Sequence, residues 1–146
     1  MKTVASNRRA RYDYQILDTF EAGIVLTGQE AKSCRAGNVN LGGSYVSILK
    51  GKPVLKGAKI ARYAYASVAA DYDPGHDRTL LLRKNELAKL ETQLNERGVT
   101  LIPLEVKAGR HIKVILGLGK GKKRYDKRQK IKEKDVKRRL KEGREI

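Results

Sequence analysis

Val99-Thr100-Leu101-Ile102-Pro103-Leu104-Glu105-Val106, the turn Lys107-Ala108-Gly109-Arg110, and Ile112-Lys113-Val114-Ile115-Leu116 decide the fold class. Two apolar runs of strand length flank a glycine-bearing turn, which predicts a long hairpin. Just upstream, Leu87, Leu90 and Leu94 recur at helical spacing, with Gly98 as the C′ residue expected to close that helix. Thr79-Leu80-Leu81-Leu82 reads as a buried strand after a turn-rich loop from Asp71 to Asp77. Ser44 to Leu49 and Val54-Leu55, around Gly51-Lys52-Pro53, predict a second hairpin, and Ile60 to Tyr65 a further strand. Tyr14, Ile16 and Phe20 mark a strand, Glu21-Ala22-Gly23 a turn, and Ile24-Val25-Leu26 a short buried strand. Short strands at this spacing, with two or three short helices, argue for a mainly β protein built as a small closed antiparallel barrel.

Thr27-Gly28-Gln29-Glu30 has the spacing of a capping box, so a short helix is expected from Gln29 to Ala36, ended by Gly37. Glu30 thereby has a structural role whatever else it does. Ahead of the first strand, Asn7-Arg8-Arg9-Ala10-Arg11-Tyr12 forms a basic arm with an amide and an aromatic ring. It reads either as a frayed terminus or as a polyanion contact.

Charge is concentrated at the other end. Lys120 to Ile146 hold fourteen Lys or Arg against five Asp or Glu, a net +9 of the chain's +17. Gly117, Gly119 and Gly121 alternate just before Lys122-Lys123-Arg124-Tyr125-Asp126-Lys127-Arg128, a pattern suited to close backbone approach to phosphates, their neutralisation, and stacking on Tyr125. Tyr125, Ile131, Val136, Leu140 and Ile146 would each yield roughly 1.5 to 3 kcal/mol if buried. Ordering the backbone costs roughly 1 to 2 kcal/mol per residue, so the tail is expected to be disordered when free. Glu133 and Asp135 each precede a basic residue by four positions, so it can become helical against an external polyanionic groove. The expected organisation is a barrel domain with its basic arm over 1–119 and a tail over 120–146.

A pI near 10.1 points to nucleic acid as partner ahead of an acidic protein or a membrane surface. No apolar run approaches a membrane span, and the single Cys34 fits a reducing compartment, so a cytoplasmic protein is expected. No CxxC, HExxH or Cys/His spacing suggests a metal, and Gly117 to Lys122 lacks the spacing of a phosphate loop, so no cofactor and no enzymatic activity is expected. Two alternatives stay open at this point. A basic structural protein of the ribosome would carry the same tail, and Asp71, Asp73 and Asp77 could hold Mg²⁺ in a nuclease, although solvated loop acids are the preferred reading.

Asn7 to Arg11, Gly23 to Ser33, Leu80-Leu81-Leu82 and Lys120 to Arg128 together resemble small protein B, the SsrA-binding protein family, in order and spacing from about Asn7 to Leu140. The resemblance implies an oligonucleotide-binding (OB) type of barrel that binds the tRNA-like domain of transfer-messenger RNA and delivers it to stalled 70S ribosomes for trans-translation. It implies that the tail, helical when bound, probes the decoding centre and empty mRNA channel. Elongation factor Tu on the same RNA is a further expected partner, and the protein itself is expected to be monomeric. Asn7 and Arg8 match RNA-contacting positions of the family, and Glu30 its acidic residue needed for RNA binding. Arg9, Arg11, Tyr12, Lys32, Arg35, Lys120, Gly121, Lys122, Lys123 and Arg124 complete the expected RNA-binding set. Tyr125, Asp126, Lys127 and Arg128 match the segment that meets small-subunit rRNA at the decoding centre. The chain departs from the family's usual Asp-Pro-x-Arg-x-Arg-Lys by His76 and Thr79, removing two positive charges from that loop.

Overall fold

The long hairpin around Lys107–Arg110 frames the fold. The computed structural model describes residues 2–63 and 72–122. In chain order it contains β1 (Lys2–Ser6), α1 (Arg8–Asp13), β2 (Tyr14–Ile24), α2 (Gly28–Arg35), β3 (Val39–Asn40), β4 (Tyr45–Leu49), β5 (Lys52–Lys56) and β6 (Lys59–Ile60). β7 (Arg78–Leu81), α3 (Lys84–Gln93), β8 (Val99–Ala108) and β9 (Ile112–Gly121) follow.

One antiparallel sheet runs β1-β8-β4-β5-β7-β2-β9, and β9 also pairs with β8, so the strands from β8 to β9 close a ring. β8 makes closure possible because its length lets one edge serve two partners: Val46 of β4 pairs at Leu101, and β1 pairs from Glu105 to Ala108. Inside the ring Ala22, Leu80, Leu101, Val114, Leu116 and Leu118 are almost wholly buried, the inward members of alternating strands. α3 lays Leu90 onto this core, while Ala10 of α1 packs with Ile102 and Leu104 in a smaller cluster. The β4–β5 hairpin turns through Lys50 and Gly51, both at positive φ (51° and 75°), one residue earlier than the sequence suggested.

Several expectations are corrected. Glu21-Ala22-Gly23 is not a turn: β2 runs unbroken, and Gly23 sits between Lys113 of β9 and Leu81 of β7, where the missing side chain lets Leu81 close in. Gly98 does have positive φ, but α3 ends at Gln93 and Gly98 belongs to the turn into β8. In β7 only alternate residues are buried, so Leu81 faces outward at 59% exposure and Arg78 faces in. Of the expected 60–65 strand only Ile60 is paired among the described residues, as the end of β6 opposite Val39 of β3; positions 64–71 lie outside the described residues. The basic arm is a helix, α1 with Asn7 as its cap, preceded by β1, and not a frayed end.

The glycine alternation at 117 and 119 has a packing cause. β9 extends through both, and a Cβ on Gly117 would stand 2.7 Å from Leu104, one on Gly119 3.0 Å from Tyr14. Both glycines are buried and make room for Leu104 of β8 and Tyr14 of β2; they do not offer bare backbone to phosphate. The expectations for the rest of the tail, including Lys123, Arg124, Tyr125, Asp126, Lys127 and Arg128, lie outside the described residues.

Candidate nucleic-acid interface

Among the described residues, the expected RNA-binding positions fall into two groups set toward opposite ends of the β8–β9 hairpin. Nine residue steps from Ile112 to Gly121 correspond to about 30 Å of strand. The barrel therefore presents two basic faces, not one.

The first group lies where β9 leaves the ring. Asn7 caps α1 by accepting from the Ala10 N–H at 3.2 Å, while its amide donates to Pro103 and Leu41 carbonyls at 2.9 and 3.3 Å and its own N–H donates to Leu104. It is 7% exposed, so its role is to fix α1 against β8, not to touch a ligand with its side chain. Fixed in this way, α1 holds Arg8, Arg9 and Arg11 in solvent; Arg9 sits 3.5 Å from Asp13 and Arg11 3.7 Å from Glu105. Lys120 and Gly121 pair with Gln15 and Tyr14, and the Lys122 ammonium lies 5.7 Å from the Tyr12 ring centroid. The root of the tail is thus joined to the arm, which the sequence separates by more than a hundred positions.

The second group is built on α2. Thr27 accepts from the Glu30 N–H at 3.2 Å and Glu30 Oε1 accepts from the Thr27 N–H at 3.1 Å, so the capping box is formed as expected. The other carboxylate oxygen does the work the sequence did not disclose. Oε2 accepts from Arg78 Nη2 at 2.8 Å and Nε at 3.1 Å, lies 2.8 Å from His76 Nε2, and accepts from the Tyr72 hydroxyl at 3.3 Å. Arg78 is fully buried at its side chain and spends its remaining donors on the Ala58 and Pro74 carbonyls and on Tyr72. His76 Nδ1 faces the Asp77 carbonyl at 3.0 Å. Both ring nitrogens therefore lie within hydrogen-bond distance of an oxygen.

Burial pushes the Glu30 carboxyl up, but hydrogen bonds from Arg78, the Thr27 N–H and His76 outweigh it and hold the pKa at about 2. Burial, then the Glu30 charge, pushes the Tyr72 phenol up. Glu30 is consequently an anion whose lone pairs are spent inside the protein. It cannot bind a phosphate, and its place is to tie α2 to the segment from Tyr72 to Arg78. Lys32 and Arg35, by contrast, point outward from α2: the Lys32 ammonium lies 5.7 Å from the Tyr63 ring, and Arg35 donates to the Gly109 and Arg110 carbonyls of the hairpin turn.

Arg78, His76 and Tyr72 were missed by sequence reasoning. One signal was present: in a strand, Arg78 shares a face with the apolar Leu80, so its charge has to be neutralised inside. Two of the loop acids serve the fold, since Asp73 accepts from the Gly75 N–H and Asp77 pairs with Lys56 at 3.4 Å; Asp71 lies outside the described residues. Among the described residues no cluster of three His, Cys, Asp or Glu side chains is placed to hold a metal ion, and no helix is long and apolar enough to cross a membrane.

The SmpB protein family profile matches residues 4–145. The chain is 49% identical over 138 residues to an SsrA-binding protein of Staphylococcus aureus (strain Newman), covering 93% of this chain and 88% of that one. The same figures hold for an SsrA-binding protein of Staphylococcus saprophyticus. A solved chain from work described as "tmRNA-SmpB: a journey to the center of the bacterial ribosome" superposes with a TM-score of 0.69 at 44% identity, over 85% of this chain and 87% of that one.

Proposed function

The chain belongs to the SmpB protein family, and on that premise we propose that it is a non-enzymatic RNA-binding factor of bacterial trans-translation. It binds the tRNA-like domain of transfer-messenger RNA and brings it to stalled 70S ribosomes in the cytoplasm, together with elongation factor Tu on the same RNA. The observation that carries this reading is the pair of basic faces separated by a closed barrel, which lets one molecule engage two RNA surfaces at once.

The α2 face, with Lys32 and Arg35 outward and Glu30 as its internal anchor, takes the tRNA-like RNA. Arg8, Arg9, Arg11, Tyr12, Lys120, Gly121 and Lys122 surround the point from which Lys123, Arg124 and the following residues depart, and Asn7 positions them. From there Tyr125, Asp126, Lys127 and Arg128 reach the decoding centre and the rest of the tail occupies the mRNA channel when it is empty. A tail that gains its helix only in that channel converts the absence of mRNA into binding.

Two measurements test this. RNA recovered with the protein from cells and sequenced should include one long species with tRNA-like ends; bulk ribosomal RNA alone would favour a structural ribosomal protein. Deleting 123–146 should weaken ribosome engagement far more than binding of transfer-messenger RNA, and equal loss of both would refute the division between barrel and tail.

A further inference from the structure

The tip of the β8–β9 hairpin is tied to α2. Arg35, the last residue of that helix, donates through Nη1 to the Gly109 carbonyl at 2.7 Å and through Nη2 to the Arg110 carbonyl at 3.2 Å. The Gly109 N–H donates in turn to the His111 carbonyl at 3.2 Å, so three successive carbonyls of the tip are each met by a donor. A single guanidinium spanning two adjacent carbonyls uses the fixed fork of that group, which an ammonium lacks. Arg35 is thereby committed to the protein although it is exposed. What the clamp leaves unspent is the Arg110 side chain, which is exposed and makes no hydrogen bond or ion pair among the described residues.

The surroundings are cationic. Lys107 and Lys113 stand directly opposite each other on β8 and β9, on one face of the sheet, and Lys2 of β1 pairs at Ala108 beside the turn. Like charges placed opposite one another repel, and among the described residues the one carboxylate within ion-pair reach of these lysines is Glu105, 3.9 Å from Lys107. A polyanion relieves that repulsion. Lys32 lies three positions before Arg35 and so on the same side of α2, which makes the helix and the tip one continuous basic surface. We propose that the hairpin tip is a phosphate contact of the bound RNA, made by the Arg110 guanidinium, with Arg35 as the residue that positions it. Arg35 fixes the two carbonyls, and with them the direction in which Arg110 leaves the turn; the RNA backbone that meets Lys32 continues to Arg110. Arg35 serves RNA binding through the tip and not through its own charge. The inference rests on the functional reading above, and adds to it a contact residue that lies on neither α2 nor the basic arm.

The test uses the full chain with transfer-messenger RNA over a series of salt concentrations. Arg110→Gln should weaken binding by about 2- to 12-fold, the range for one net hydrogen bond, and reduce the log–log salt slope by about 0.7–0.9. Arg35→Lys keeps the charge and loses the fork, so it should weaken binding as much as Arg35→Gln does, and in both variants the Gly109 amide should exchange faster with solvent. Added to Arg110→Gln, Arg35→Gln should weaken binding no further, because both act through one contact. Arg35 and Arg110 are exposed, and neither substitution removes a core contact. Wild-type affinity in Arg35→Lys, additive losses in the double variant, or unchanged exchange at Gly109 would overturn the positioning role. An unchanged slope in Arg110→Gln overturns the tip contact and leaves the function standing. Failure of the wild-type chain to bind the RNA at all overturns the functional reading itself.

Discussion

Replacing Glu30 by Gln should remove a pH-dependent part of the protein's stability. The substitution keeps the shape and the oxygen that accepts from the Thr27 N–H, but leaves the buried Arg78 guanidinium facing a neutral amide. The magnitude follows from the carboxyl: its pKa falls from 4.5 to about 2 on folding, which corresponds to about 3 kcal/mol. Breaking a buried pair by removing one partner costs about 3–5 kcal/mol, in agreement. Because the folded pKa is depressed, this contribution is complete above pH 4.5 and is lost as pH falls from 4.5 towards 2. Urea unfolding of wild type and Glu30→Gln across that range measures it, since other carboxylates titrate alike in both proteins and cancel in the difference. The gap should be about 3 kcal/mol at pH 7 and about half that at pH 3. Adding Arg78→Met to Glu30→Gln should recover part of the loss, because no charge then remains buried alone. A gap that stays constant from pH 7 to pH 3, or none at pH 7, would refute the assignment of Glu30 as an internal anion.

Asn7→Ala leaves the Pro103 carbonyl without its donor and α1 without its cap, and should cost about 1–3 kcal/mol in thermal or urea unfolding, with ribosome binding falling alongside. Cys34 is 1% exposed and burial pushes its thiol up to about 11, so it should resist a thiol reagent in the native protein and react at once in denaturant. Gly117→Val should destabilise by about 1–3 kcal/mol, because Leu104 occupies the space the new side chain needs. In binding to transfer-messenger RNA, Lys32→Gln should reduce the log–log salt slope by about 0.7–0.9, whereas Glu30→Gln should lower affinity with the slope unchanged.

Legibility in the sequence followed locality. The α2 capping box, the β4–β5 hairpin and the long β8–β9 hairpin rest on signals within a few residues, and each stands where the sequence placed it to within a few positions. The failures share one cause. Gly23 was read as local punctuation, and Gly117 and Gly119 as bare backbone for phosphate, yet all three are small because Leu81, Leu104 and Tyr14 arrive from other strands. Likewise Glu30 and Arg78 are 48 residues apart, so nothing local could pair them, and the arm at Tyr12 meets Lys122 only because β2 and β9 close the ring.

The same distant pairings explain how the proposed RNA-binding face can be built around a carboxylate. An acidic side chain near phosphate is repulsive unless its charge is spent elsewhere, and here two Arg78 nitrogens, His76, Tyr72 and the Thr27 N–H take all of it. What reaches solvent is the consequence: α2 held at a fixed angle to the 72–78 segment, with Lys32 and Arg35 outward. His76 carries the same logic. Its Nε2 lies 2.8 Å from Glu30 Oε2, so the loop still reaches the anchor through this side chain. The positive charge this loop gives up is surface charge; the charge that organises the site sits on Arg78, inside the barrel wall, where solvent does not reach it.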